Sequence, residues 1–267
     1  MKNVFVLTLI EYLIGWNLYN AVTLRDGKTS RSLYETSQEM NTNDMALLYY
    51  LQSFLTERRK ATFERVLSQR TKHLTVVLED IYQKHNTSAV VRNCDVFGIQ
   101  DLHIIENKYN SYVSNQVAKG AQKWIDFYEY NQREYNTKTC ITTLRDKGYQ
   151  IIATTPHNDS CLLQDFDVKK KSALVFGVEK EGVSDYIMNE ADGFLKIPMY
   201  GFTESFNISV AVAIILQDLT TRLRKTDVNW QLSTQQKDEK RLDWCKKTIG
   251  NVDQIIERFY AKKKNLS

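Results

Sequence analysis

IPMYGFTESFNISVAVAIIL, residues 197–216, changes character twice within one short stretch. Pro198 cannot donate to a sheet ladder, so the apolar run before it ends a strand. Gly201 sits in a turn over 200–204, and Ser205 or Asn207 is placed as the N-cap of a helix. From 208 to 216 the chain is apolar almost all round, which predicts that this helix is buried on most sides. A strand end, a tight polar loop and a buried helix form a unit of an α/β fold. Such a loop is also a place to hold a small molecule. A buried helix with an ordinary cap has the same pattern, so the rest of the chain decides.

Upstream the unit repeats. Strands are predicted at 74–79 (LTVVLE), 102–106 (LHIIE), 124–130 (WIDFYEY), 149–154 (YQIIAT), 172–178 (SALVFGV) and 194–197 (FLKI). Helices are predicted at 87–97 closed by Gly98, at 137–147 closed by Gly148, at 183–189, and from 208 to 224. The alternation predicts an α/β domain with a largely parallel sheet. Ligands in such sheets lie beyond the carboxyl ends of the strands. Those ends fall at 79–86, 154–157, 177–182 and 198–206.

Composition narrows the function classes. With 42% hydrophobic and 11% aromatic residues, 267 residues support a large core and exclude global disorder. The net charge of +4 permits an anionic partner without requiring one. The four cysteines form no CxxC pair, which speaks against a structural zinc or a disulfide framework and fits a reducing cytoplasm. His73, His85, His103 and His157 show no ligand spacing, so no metal is expected. The apolar run at 4–14 faintly resembles a signal peptide. Glu11 interrupts it, however, no small-residue cleavage site comes after it, and it is too short to cross a bilayer. With the polar stretch at 25–43 it is read as an N-terminal extension, and no membrane association is expected. Gly177 and Gly182 have the spacing of a phosphate loop, but Val183-Ser184 stands where Lys-Ser/Thr is needed. No GxGxxG succeeds the first strand and no GxSxG is present.

The flanks are helical and basic. Residues 44–69 predict a helix or helix pair, capped by Asn43 or Asp44, with Ala46, Leu47, Leu51, Phe54 and Leu55 as its apolar stripe. Arg58, Arg65 and Lys72 are seven apart and share a face if the helix continues. With Arg59 they make either a phosphate-contacting arm over 44–72 or a solvated face. Beyond 226, helices at 235–247 and 252–264 would pack through Leu242, Trp244, Ile255 and Phe259, with Lys246 and Lys247 on the polar side.

Three stretches together carry a resemblance: HNTSAVVRNC (85–94), LVFGVEKEGVS (174–184) and IPMYGFTESFNISVA (197–211). They resemble, in order, the three signature motifs of the SPOUT-class RNA ribose 2′-O-methyltransferases, nearest the tRNA guanosine 2′-O-methyltransferase branch. The resemblance runs over about 74–224. It implies a SPOUT fold over 73–225, with a largely parallel sheet and a C-terminal deep trefoil knot, flanked by helical segments at 44–72 and 226–267. It also implies S-adenosyl-L-methionine as cofactor, a homodimer, no metal, and tRNA as substrate, at guanosine 18 of the D-loop. Catalytic roles carry over to Arg92, Asn86, Glu179, Ser205 and Asn207. Cofactor contacts carry over to Thr154, Gly177, Gly182, Ile197, Met199, Gly201 and Phe206. RNA contacts are expected of Arg222 and Arg224, beside Arg58, Arg59, Arg65, Lys246 and Lys247. Methylation of ribosomal RNA or of another tRNA ribose is the neighbouring alternative. A catalytically inactive RNA-binding protein is the alternative of another class.

The residues suit that chemistry in part on their own terms. Ser88, Arg92 and Asp95 fall on one helical stripe, with Ala89, Val90, Val96 and Phe97 turned to the core. An arginine stays protonated at neutral pH, so Arg92 would orient a ribose and offset oxyanion charge rather than act as a base. Asn86 is placed to cap the same helix, and His85 beside it is read as structural. Ser209, Ala211 and Ala213 are small enough for close helix packing, as in a dimer or in a buried core.

Overall fold

Every residue of β1 (Leu74–Glu79) is buried, which marks it as a central strand covered on both faces. The computed structural model describes residues 40–109, 118, 120–132, 135–156, 160–178 and 181–264. The expected N-terminal extension lies outside them except for 40–43. Around β1 are β2 (Asp101–Ile105), β3 (Asp126–Tyr130), β4 (Gln150–Thr154), β5 (Cys161–Leu162), β6 (Ser172–Phe176) and β7 (Gly193–Lys196). They form a seven-stranded sheet in the order β3-β2-β1-β6-β4-β7-β5, every pair parallel. The expected parallel α/β sheet is therefore present.

Strand side chains alternate, so each face meets its own helices. On one face Leu74, Val76 and Leu78 pack with α3 (Lys84–Phe97) and α6 (Ile208–Leu223). On the other, Val77, Ile151, Ala153 and Val175 pack with α4 (Asn136–Asp146) and α5 (Asp185–Glu190). The remaining helices are α1 (Thr42–Gln52), α2 (Glu57–Leu67), α7 (Thr234–Thr248) and α8 (Val252–Lys264). Among the described residues no helix is long and apolar enough to cross a membrane.

Four details differ from the sequence expectation. The N-terminal helical stretch is a helix pair, one of the two expected forms, with Thr56 capping α2, but α1 is capped by Asn41, not by Asn43 or Asp44. Lys72 lies beyond the end of α2 and off the face of Arg58 and Arg65. It pairs with Asp101 at 3.0 Å. Helix α3 starts at Lys84, so Asn86 sits inside the first turn, and Gln83 holds the capping position without a side-chain cap. The buried stripe of α3 is Thr87, Val90, Val91 and Cys94. Ser88 is buried too, while Val96 is 68% exposed, so these two depart from the expected stripe, whereas Val90 is buried and Arg92 exposed as expected.

The two helical flanks share one core. Leu47, Leu48, Leu51, Phe63 and Leu67 from the N-terminal side pack with Leu242, Trp244 and Cys245 from the C-terminal side. Arg241 Nε and Nη2 donate to the two carboxylate oxygens of Glu64, each at 2.6 Å, bridging α7 to α2. Arg70 is buried, pairs with Asp95 of α3, and lies 5.7 Å from the Trp244 ring centre, so the helical layer is tied to the sheet domain.

His103 on β2 is buried, stacks on Tyr128 at 4.6 Å, and has Nδ1 3.1 Å from the Tyr130 hydroxyl. Burial, then the charges of Lys147 and Lys72, push its pKa down to about 3. The unfolded chain binds this proton near pH 6.5 and the native chain does not, so its contribution is complete above pH 6.5 and is lost as pH falls toward 3. Urea denaturation at pH 7.5 and pH 5 should show the wild type losing about 2 kcal/mol more than His103→Gln over that interval.

Candidate active site

Because the strands are parallel, the carboxyl ends of β4, β6 and β7 open on one side of the sheet. A cavity of about 510 Å³ lies there, within the size range of small-molecule sites. Thr154 to Pro156 bound it after β4, Gly177, Val178, Glu181 and Gly182 after β6, and Ile197 and Met199 after β7. Ser205 and Phe206 close it, with Ile208, Ala211 and Ile215 of α6 as an apolar wall. Of the residues expected to touch a cofactor, Thr154, Gly177, Gly182, Ile197, Met199 and Phe206 are therefore brought together. Gly201 is not among the lining residues.

The loop after β6 is folded back on itself. Val178 N donates to Gly182 O at 2.9 Å and Gly182 N to Val178 O at 2.7 Å. A Cβ on Gly177 would stand 2.0 Å from Gly182 O, so no side chain fits there. Gly182 itself has φ +72°, a left-handed conformation that glycine adopts without strain. Glu179 lies outside the described residues.

Beneath the loop is a residue whose role the sequence reading missed. Glu79 ends β1 and is only 2% exposed. Its carboxylate accepts from Ser184 N and Ser184 Oγ at 2.8 Å each and from Thr137 Oγ1 at 2.8 Å. Ser184 in turn caps α5. Glu79 thus joins β1, α4 and the C-terminal side of the 178–182 loop. The one available hint was an acidic residue closing an otherwise apolar strand, since carboxylates are buried only when paired. Its neighbour Asp80 has φ 55° and accepts from Asn107 N at 2.6 Å and Lys108 N at 2.8 Å, pinning that loop to the strand end.

Asn86 and Asn207 meet. Asn86 Oδ1 accepts from Asn207 Nδ2 at 3.1 Å, and Asn86 Nδ2 donates to Gln83 Oε1 at 3.1 Å. Asn207, rather than Ser205, caps α6: its Oδ1 accepts from Ser209 N at 2.9 Å and Ser209 Oγ at 2.7 Å. The starts of α3 and α6 are thereby locked together, and Asn93 Nδ2 adds a bond to Ser209 O at 2.8 Å. Arg92 is exposed on α3 and has no polar partner among the described residues, because Asp95 is taken by Arg70. Asn86, Arg92 and Asn207 do not line the cavity; Ser205 does.

The basic residues divide. Arg58, Arg59 and Arg65 on α2 and Lys246 on α7 are exposed, and Lys247 pairs with Asp243 at 2.8 Å. Arg222 is held by Asp218 and by the carbonyls of Phe166 and Leu163, all at 2.7 Å. Arg224 donates to the carbonyls of Thr220, Phe97 and Gln69 and lies over Trp230. These two guanidinium groups anchor α6 to its surroundings.

Residues 73–217 match the SpoU rRNA Methylase family. The chain is 40% identical over 209 residues to the tRNA (guanosine(18)-2′-O)-methyltransferase of Borreliella burgdorferi, covering 78% of this chain and 94% of that one. It resembles the solved structure of the Aquifex aeolicus TrmH/SpoU tRNA modifying enzyme with a TM-score of 0.64 and 29% identity, covering 72% of this chain and 98% of that one. It shares its fold, at 22% identity and TM-score 0.52, with the SpoU methyltransferase AviRb of Streptomyces viridochromogenes, which was solved with AdoMet; the match covers 61% of this chain and 65% of that one.

The two glycines should respond differently to alanine. Gly182→Ala meets open space and should cost about 1–2 kcal/mol through its positive φ alone. Gly177→Ala must displace backbone and should cost about 1–3 kcal/mol more, read as a lower urea midpoint at unchanged slope.

Proposed function

The chain belongs to the SpoU rRNA Methylase family, and from that premise we propose that it methylates a ribose 2′-hydroxyl of tRNA, at guanosine 18, using S-adenosyl-L-methionine. One observation carries the reading: residues of the second and third motifs, at the ends of β6 and β7, meet Thr154 at the end of β4 around one cavity, and Asn86 of the first motif is tied to that region through Asn207. The residues fit the cofactor. The loop backbone at Gly177, Val178 and Gly182 borders the cavity, and the α6 wall is apolar while Thr154, Glu181 and Ser205 are polar. Thr154, Gly177, Gly182, Ile197, Met199 and Phe206 would hold it. When bound, S-adenosylmethionine supplies a methyl group activated by its sulfonium.

The other roles belong to the chain. The Arg92 guanidinium is cationic at every physiological pH. It orients the ribose and adjacent phosphate and stabilises negative charge as the 2′-hydroxyl loses its proton. Asn86 and Asn207 keep α3 and α6 in register, so Arg92 and the Ser205–Phe206 edge hold a fixed relation. Ser205 faces the substrate from the cavity rim, and Glu179 is assigned to the loop or the ribose from sequence alone. Arg58, Arg59, Arg65, Lys246 and Lys247 supply the phosphate contacts, with 44–72 and 226–267 acting as one RNA-gripping unit on a 73–225 catalytic domain.

The deep trefoil knot belongs to the same proposal. It is supported by a strand order that sets β6 between β1 and β4. A homodimer is supported by the exposed apolar side chains of Val96, Phe206 and Val210, the last of them on α6 between Ser209 and Ala211, which a second copy would cover. Four free thiols support a cytoplasmic location.

The test is transfer of labelled methyl from S-adenosylmethionine to total RNA, with nucleotide mapping of the product. Wild type should label guanosine 18 of tRNA, and Arg92→Ala should transfer about 100-fold more slowly with unchanged cofactor affinity by calorimetry. Equal rates would remove Arg92 from the mechanism. Label in ribosomal RNA would reassign the substrate, and no transfer without cofactor binding would leave an RNA-binding protein.

A further inference from the structure

A second, more open cavity of about 650 Å³ is lined by Tyr82, Gln83, Lys84, His85, Lys108 and Tyr109. None of these residues has a part in the mechanism above. Two contacts tie the cavity to the proposed active site. Gln83 Oε1 accepts from Asn86, so one wall touches a residue assigned to catalysis. Lys108 Nζ donates to Glu181 Oε2 at 3.2 Å, and Glu181 lines the cofactor cavity. A ligand here would thus adjoin the reacting ribose on one side and the cofactor loop on the other.

The chemistry of the lining selects among ligands. Tyr82 is 67% exposed although aromatic, and its ring meets Tyr109 edge-on at 5.1 Å and 72°. That leaves a π surface open to a planar partner. Three of the six described lining residues are basic types, and none of the six is a carboxylate. The Lys108–Glu181 pair is well exposed on both sides, so it is weak and yields readily to an incoming anion. Among the described residues no aliphatic side chain lines the cavity, which disfavours an amphipathic helix or a lipid chain. The position is also built in part: Asp80 fixes the backbone of Asn107 and Lys108, so Lys108 and Tyr109 stand on a held loop, while Lys84 and His85 open α3.

We propose that this cavity is a nucleotide subsite of the RNA substrate, taking the nucleotide next to the methylated one. Its base stacks on Tyr82, and its phosphate lies against Lys84, His85 and Lys108. The proposal rests on the methyltransferase reading. Because every base has a π face, the subsite adds affinity and positioning rather than sequence choice.

The experiment compares Tyr82→Ala and Tyr82→Trp in the full chain, using an unmodified tRNA transcript with guanosine at position 18. Filter binding, steady-state transfer and cofactor calorimetry are the readouts. The exposure of Tyr82 argues against a folding defect as a cause, and a melting curve checks it. Tyr82→Ala should weaken RNA binding and raise KM for RNA about tenfold, with S-adenosylmethionine affinity within about twofold and Tyr82→Trp close to wild type. Wild-type RNA binding in Tyr82→Ala would overturn the subsite, as would an equal loss in Tyr82→Trp. The two readings fail separately: a wild type that binds RNA but transfers no methyl ends the enzyme reading, while the binding comparison still judges the subsite.

Discussion

The carboxylate of Glu79 is the constraint on which the catalytic end of the sheet depends. A buried, unpaired carboxylate costs several kcal/mol, so this one persists only because Ser184 and Thr137 supply three donors to it. Those donors come from segments far apart in the chain. Their common acceptor fixes how α4, α5 and the end of β1 sit around the Gly177–Gly182 loop. The loop needs such an external hold, since its own two backbone bonds set its shape but not its position. Removing the carboxylate would strand the donors of Ser184 and Thr137 beside the loop.

A second constraint binds the periphery. The N- and C-terminal helices looked like separate basic arms in the sequence. Instead, Trp244 sits among Phe63, Trp124 and the aliphatic residues of α1, and Arg241 and Glu64 clamp the two sides. Lys240 reaches Asp126 on β3 at 2.6 Å, and Arg70 joins Asp95. Several cations that would read as RNA contacts are therefore internal struts. The exposed ones gather on α2 and at the end of α7.

Much of this was legible in the amino-acid order. Period-two and continuous apolar runs marked six of the strands, and Gly177, Gly182 and Pro198 marked the loops that meet at the cavity. The features that were not legible depended on partners distant in sequence. The burial of Ser88 and exposure of Val96 could not be told from α3 alone, because the helix phase was set by packing on α6. The tie from Asn86 to Asn207 spans 121 residues, and no local pattern announces it. Arg222 and Arg224 had the charge of RNA contacts, but their distance to particular carbonyls decided their use. The two-residue β5 is too short to carry any periodicity.

The shared helical core also has a consequence for the order in which the chain is made. Glu64 and Arg241 are 177 residues apart, so the apolar faces of α1 and α2 emerge from the ribosome long before their partner α7 exists. Until then Leu47, Leu48, Leu51 and Phe63 lack Leu242, Trp244 and Cys245, the C-terminal part of their shared core. The entropy of closing so long a loop rises only slowly with length, so the final state bears the cost easily. The nascent chain does not share that advantage. The faces of α1 and α2 that await α7 stay incompletely covered until it is made, the period in which chaperone capture and aggregation compete with folding.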